Sequence, residues 1–321
     1  MRVMQFDEVG PPEVLHPADV AVPEPGSGEV LVKVQAIGVN FSEVSRRRGT
    51  TPLAPGRGFP YVPGYECSGF IEALGAGVTT LAPGDRVLVR AFPATYAEYV
   101  AVPANIVYRL PDSLDFVQAA GIAGVYSTAW QNLVNRAQLQ PTETVLVQAC
   151  ASGVGIGNVQ VAKYIGATVI GTASTDEKLE WATQFGVDHG INYVTGDFVE
   201  ETMRLTGGQG VPVVVDGVGG EVLTKSLKAL APGGRLVTYG RAGGERQITL
   251  TLPELWFTNI TILGSGSNGV DRPAFDQLIQ LVANGDLTVP VERTWPLESA
   301  HEAHEHLESR RARGKVVLTV D

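Results

Sequence analysis

The sequence predicts an α/β chain in two parts, a β-rich region and then a doubly wound parallel sheet. Three observations predict it. Up to about Phe116 the chain is a series of short apolar runs cut by Pro and Gly. From about Val117 apolar runs alternate instead with helical patterns. One junction, "VLVQACASGVGIGNVQVAKYIGATVIG" (Val145–Gly171), passes from strand through a Gly/Ser turn into a helix and on to another strand. With 321 residues, 44% of them hydrophobic and 18% charged, the chain has enough apolar material for two ordinary cores.

In the first region "EVLVKVQAIGVN" (Glu29–Asn40), "CSGFIEALG" (Cys67–Gly75), "GDRVLVR" (Gly84–Arg90) and "TYAEYVAVP" (Thr95–Pro103) read as strands. Turn signals such as "PEPGSGE" and "LAPGD" separate them. Strands without intervening helices suggest an antiparallel sheet or partial barrel. In the second region the strands are Val145–Gln148, Thr168–Gly171, Gly190–Asn192, Val211–Asp216 and Arg235–Tyr239. The helix after the Gly/Ser turn places Val154, Val159, Val161, Ala162 and Ile165 mostly on one side. The next helix, Asp176–Phe185, follows Ser174 and Thr175, both natural N-cap residues. Strand and helix in repetition define a Rossmann-type domain. The last region holds a strand at Ile260–Leu263, helices at Pro273–Asn284 and Glu298–Arg310, and a terminal strand, "KVVLTV". That strand is expected to return to the first sheet. Domains are therefore expected over residues 1–116 and 117–256, with 257–321 ending the second sheet and rejoining the first.

A net charge of −10 argues against a nucleic-acid or anionic-membrane binder. The one basic run, Arg46-Arg47-Arg48, reads as a solvated helix end. Two cysteines, Cys67 and Cys150, are too few for a disulfide framework or a four-cysteine zinc site. "MRVMQFDEVG" lacks a signal-peptide core, and no apolar run reaches the 18 or so residues of a spanning helix. A soluble cytoplasmic protein is expected. "HEAHEH" (His301–His306) spaces His301 and His304 three apart, and reads as a solvated polar helix rather than a metal site.

The turn Ala149–Gly155 leads directly into a helix, whose free N–H groups suit a pyrophosphate if the side chains above stay small. Ala149, Ala151, Ser152, Gly153 and Gly155 are small. The glycines Gly153, Gly155 and Gly157 form G-x-G-x-G rather than G-x-G-x-x-G, so a tight turn that holds nothing is the alternative. About 20 residues on, where an acid would accept an adenosine ribose, there is no carboxylate at the strand end itself. Ser174 and Lys178 suit a 2′-phosphate, which favours NADPH; Asp176 and Glu177 could instead serve a bare ribose.

Together "AIGVNFSEVSRRRG" (Ala36–Gly49), "PYVPGYECSGFIEALGAGV" (Pro60–Val78), "PGDRV", "YAEYVAVP", "VLVQACASGVG", "GATVIGTASTDEKLEWATQFGVDHGINY", "VVVDGVGG", "APGGRLVTYG" and "GKVVLTV" span nearly the whole chain. In that order they resemble the quinone oxidoreductase (zeta-crystallin-like) branch of the medium-chain dehydrogenase/reductase superfamily. The resemblance implies a GroES-like catalytic domain, a Rossmann domain, and a nicotinamide held in the cleft between them. It implies cofactor contacts from Ser152, Gly153, Val154 and Gly155, with Ser152 replacing the first glycine of the family's A-x-G-G-V-G. Further contacts are implied from Ser174, Lys178 and Tyr193, from the loops at Val218, Gly240 and "GSGSN" (Ser267 and Asn268), and from Lys315.

Zinc-dependent relatives carry Cys at the position of Asn40 and His at that of Tyr65, plus a cysteine lobe missing here, so no metal is expected. Without a Lewis acid, the chemistry left for NADPH is hydride transfer to a conjugated acceptor, a quinone or an α,β-unsaturated carbonyl. Asn40 and Tyr65 are the candidate catalytic donors, although Tyr65 is as readily a packing residue. Ser45 and Thr51 stand where family members often have tyrosines, which opens the acceptor pocket. An enoyl or 2-alkenal reductase, and a non-catalytic NADPH-binding protein, are the alternatives. By analogy with relatives a homodimer is expected, with no nucleic-acid or membrane partner.

Overall fold

The chain sorts into two units, Met1–Gly124 with Asp276–Asp321, and Val125–Phe275. The computed structural model describes residues 1–90, 94–245, 247–266 and 269–321.

Along the first segment run β1 (Arg2–Gln5), β2 (His16–Asp19), β3 (Glu29–Val39), α1 (Phe41–Arg47), β4 (Glu66–Leu74), β5 (Arg86–Arg90), β6 (Tyr99–Pro103) and β7 (Val107–Arg109). Then come α2 (Phe116–Ala119) and α3 (Ile122–Trp130), the latter crossing into the second unit. Val30, Val32 and Val34, two residues apart on β3, turn one face into the core with Ile71, Val87, Val100 and Val102. Helix α1, whose end the basic run marks, interrupts the series of strands expected for this region. Its start is written locally: the Asn40 N–H donates to the Glu43 carboxylate three residues on, at 2.8 Å.

The second unit runs β8 (Thr144–Val147), α4 (Gly153–Ile165), β9 (Thr168–Ala173), α5 (Asp176–Thr183), β10 (His189–Asn192), α6 (Phe198–Leu205), β11 (Val211–Asp216), α7 (Gly220–Leu227), β12 (Leu230–Thr238), α8 (Leu252–Trp256) and β13 (Thr261–Gly264), and α9 (Arg272–Ala283) crosses back into the first unit. Its six strands are all parallel, in the order β10-β9-β8-β11-β12-β13. That is the Rossmann arrangement, with the order reversing between β8 and β11. Val213, Val214 and Val215 are all buried, as a strand covered on both faces requires. Helix α4 departs from the one-sided pattern expected of it: every residue from Gly155 to Ala162 is buried. A side chain at Gly157 would meet Val125 and Ala129 of α3, so the glycine lets the two helices close on each other.

The chain returns through β14 (Val291–Pro296), α10 (Ala300–Glu308) and β15 (Lys315–Thr319). As expected, β15 joins the first sheet, antiparallel to β3 and parallel to β14. The sheet order is β14-β15-β3-β4-β5-β7, with β6 paired to the first half of β3.

Two polar stretches read as solvated are partly core. Arg47 is fully buried and donates to the Gly10 carbonyl at 2.7 Å and to Glu308 at 2.6 Å. On α10, His304 is equally buried, between Arg47 Nε at 3.3 Å and the Tyr96 hydroxyl at 3.0 Å. Arginine only donates, so His304 Nδ1 accepts and Nε2–H donates to Tyr96. Burial, and then Arg47, hold the His304 pKa down at about 3. The reason for both corrections is long-range: loop, α1, β6 approach and α10 converge on one buried staple.

Candidate active site

The second unit presents its strand ends as the sequence predicts. Between β8 and α4 the turn passes through Ala149 at φ +51°, with Cys150 and Ala151 buried beneath it. Thr172 and Gln148 fix it from below: the Ala149 N–H donates to Thr172 Oγ1 at 3.2 Å, and Thr172 donates to Gln148 at 2.6 Å. A Cβ at Gly155 would be driven into the Ala149 carbonyl oxygen, so only glycine closes this turn. Ser152 is the N-cap of α4, in an extended conformation any L-residue adopts, and its Oγ accepts from the Gly155 N–H at 3.1 Å. The serine therefore replaces glycine without backbone cost and caps the helix as well. Gly153 and Val154, half-buried, form the first helical residues, and N–H groups at a helix start suit an anion.

At the end of β9, Ser174 follows Ala173, and the Tyr193 N–H donates to the Ala173 carbonyl at 3.1 Å. The parallel register, Asn192 opposite Ala173, thus brings Ser174 and Tyr193 side by side at neighbouring strand ends. Lys178 lies in the first turn of α5, capped by Thr175. Its charge reaches Cys150, whose thiol burial pushes up to about 12 and Lys178 partly restrains. Asp176, one of the two acids that could have served a ribose, instead accepts from Asn192 Nδ2 at 2.8 Å. The loops that carry Val218 and Gly240, just past the ends of β11 and β12, are bonded to each other. The Ala242 N–H donates to Gly217 O at 3.0 Å and Gly243 N–H to Val218 O at 2.9 Å. Below them, buried Asp216 accepts from the Val218 and Gly219 N–H groups at 2.8 and 2.7 Å. Ser267 and Asn268 lie outside the described residues.

The first unit gathers a different set, shown in part by residues that sequence reasoning missed. Lys315, 3% exposed, places its ammonium 2.7 Å from Glu66 Oε1 and 2.7 Å from Asn40 Oδ1. Asn40 Nδ2 donates to Glu66 Oε1 at 2.9 Å, and its contact to Gly38 O is long at 3.4 Å. The other Glu66 oxygen takes the Gly124 N–H at 2.6 Å. Gly124 is glycine by necessity: a Cβ there would meet Asn40 Oδ1 at 2.5 Å and Glu66 Oε1 at 2.7 Å. Lys315 is also the counter-ion of fully buried Glu66. Tyr65, directly before β4, is 9% exposed. Glu43, 2% exposed, completes the set: burial raises its carboxyl to about 7 against the pull of Lys315. The Asn40/Glu43 spacing is the signal that would have found it.

Two family models match the chain, an alcohol dehydrogenase GroES-like domain over residues 26–112 and a zinc-binding dehydrogenase over residues 153–284. A quinone oxidoreductase of Pseudomonas aeruginosa is 36% identical over 98% of this chain and 98% of its own length. The chain belongs to the quinone oxidoreductase family. Within that medium-chain dehydrogenase/reductase group, a 2-haloacrylate reductase from a Burkholderia species is also 36% identical, over 94% of this chain and 93% of its own. The solved Escherichia coli quinone oxidoreductase complexed with NADPH shares the fold at TM-score 0.91 and 31% identity, covering 99% of this chain and 100% of its own. An NAD-dependent alcohol dehydrogenase does so at TM-score 0.92 and 35%, covering 100% of both. Shared fold therefore does not choose between the nicotinamide cofactors; the residues at the β9 end must.

For the zinc that one family description names, the described residues offer no grouped donor set. Cys67 is fully buried on β4 with its thiol pKa pushed up by burial, and Cys150 packs beneath the turn against Gly171. Glu66 is already neutralised by Lys315. Among the described residues no three His, Cys, Asp or Glu are grouped to hold a metal. Nor, among them, is any helix long and apolar enough to cross a membrane.

Proposed function

We propose that this oxidoreductase uses NADPH to pass hydride to a quinone without a metal. The observation that supports the cofactor is the β9 end, where Ser174 and Tyr193 lie at neighbouring strand ends, Lys178 follows in the first turn of α5, and Asp176 is held by Asn192. A 2′-phosphate is drawn to such groups and repelled by a free carboxylate. The β8–α4 turn suits the pyrophosphate, since its glycine and small residues leave the helix N–H groups open. NADPH, when bound, supplies the hydride.

The chain's own contribution to the acceptor is electrostatic. Lys315 donates to Asn40 Oδ1, which polarises the amide and strengthens its Nδ2–H as a donor. Asn40 is the half-buried member of the cluster, and its second N–H is the group for an acceptor oxygen gaining negative charge. Tyr65 is a second donor in this reading. A buried ammonium already balances Glu66, so no metal is needed to supply positive charge there.

A second reading, reduction of an activated alkene at its β-carbon, is favoured by the similarity to a 2-haloacrylate reductase. NADPH oxidation measured with 1,2-naphthoquinone beside trans-2-enals, enones and 2-haloacrylate separates the two. Quinone turnover well above the alkenes supports the first reading, the reverse supports the second, and no turnover with any sinks both. We also propose a homodimer built on the β13 edge. That strand is paired only to β12 among the described residues, and Leu252, Trp256 and Phe257 nearby in sequence are exposed.

A further inference from the structure

We propose that Glu43 is a proton-carrying positioning residue whose charge state sets the pH range in which the Asn40–Lys315–Glu66 cluster supports hydride transfer. The inference rests on the reading of Asn40 as the acceptor's hydrogen-bond donor. Glu43 does not touch the reacting atoms in this account; it acts through Asn40 and Lys315.

Three observations carry it. First, Glu43 Oε2 is committed: it accepts from the Asn40 backbone N–H at 2.8 Å and from Ser42 Oγ at 3.3 Å. Second, Glu43 Oε1 is buried with no hydrogen-bond partner. An ionised carboxylate with one bare buried oxygen is costly, whereas a protonated one is tolerated. Third, the surroundings hold one ammonium for two carboxylates. Lys315 from β15 contacts Glu66 from β4 at 2.7 Å, so its single charge is shared between Glu66 and Glu43, and burial outweighs its pull on Glu43. The other charged or titratable groups facing Glu43 are Arg46 on its own helix, and Tyr61 and Tyr96 from the loops before β4 and β6. Of these only Lys315 and Arg46 favour its ionised form; Glu66 opposes it.

The consequence follows by counting charge. With Glu43 protonated, Lys315 and Glu66 cancel and Asn40 faces a neutral cluster. When Glu43 releases its proton to solvent, the cluster carries a net buried negative charge beside the amide meant to stabilise a developing oxyanion. Like charge raises the barrier. Turnover should therefore fall as pH rises through the Glu43 titration.

The test compares the full-length protein with Glu43→Gln, which keeps an acceptor for the Asn40 N–H and cannot ionise. The readouts are kcat/KM for 1,2-naphthoquinone across pH and infrared titration of the carboxyl groups. We expect the native protein to lose roughly tenfold in kcat/KM between about pH 6 and pH 8.5, and the variant to lose far less. A protonated-carboxyl band should vanish over the same interval in the native protein and be missing in the variant. A retained inflection in Glu43→Gln, or an ionised Glu43 already at about pH 6, overturns the proposal. If the variant does not fold, the native protein labelled at glutamate decides, since lack of a carboxyl band titrating near neutrality is refuting. Absence of turnover with every acceptor would instead refute the reading of Asn40, and the infrared titration would still decide the charge of Glu43.

Discussion

The β8–α4 turn of the second unit and the Lys315 cluster of the first are built on opposite principles. The turn is made of backbone: Gly155 closed against Ala149 O, Ser152 capping α4, and N–H groups left free at a helix start. The cluster is made of side chains: the Lys315–Glu66 ion pair, the Asn40 amide and the Glu43 carboxyl, brought from β15, β4 and the start of α1. One is fixed by steric exclusion and changes little with pH. The other is fixed by charge balance, and loses its meaning when one partner is removed. The difference suggests where each kind of mutation should hurt.

The largest effect is expected in the charge cluster. Lys315→Met leaves Glu66 buried without its counter-ion and should cost about 3–5 kcal/mol in chemical denaturation. Adding Glu66→Gln should recover much of that loss; no recovery would mean that the pair is not coupled. A similar test applies to the Arg47–His304–Tyr96 staple. Free histidine titrates near 6.5 and His304 near 3 in the folded chain. The unfolded state therefore binds the extra proton first, and this stability is present above pH 6.5 and lost as pH falls toward 3. The loss should approach about 4 kcal/mol, and His304→Asn should remove that part of the acid slope.

Steric exclusion is tested next. Gly155→Val should weaken NADPH binding by about 100-fold, near 2.7 kcal/mol, with circular dichroism unchanged; unaltered affinity would show that the turn does not hold the cofactor. The smallest effect is expected one turn earlier. Ser152→Gly should shift stability by no more than ~0.5 kcal/mol, because glycine is nearly as good an N-cap.

The same contrast governs what could be read in advance. The turn, the strands either side of it, and the neighbourhood of Ser174 and Tyr193 follow from local periodicity and from register between consecutive strands. They were legible. Arg47 and His304 read as solvated because nothing near them in sequence reveals partners 257 positions apart. The pairing of Lys315 with Glu66 was not legible for the same reason, since the two are 249 positions apart. Helix α1 is the intermediate case: its end was read at Arg46-Arg47-Arg48, while the Asn40/Glu43 spacing at its start went unread beside the apolar strand before it. The one-sided reading of α4 failed for a related reason, since Gly155 and Gly157 offer close approach rather than an apolar stripe.

The most direct test of the account is the ratio of kcat/KM for NADPH to that for NADH, with 1,2-naphthoquinone as acceptor, in the native protein and in Lys178→Ala. The native protein should favour NADPH by at least about tenfold, and the variant should lose roughly tenfold of that preference through its NADPH term alone. A native preference for NADH, or a ratio untouched by Lys178→Ala, would contradict the assignment of the β9 end to a 2′-phosphate.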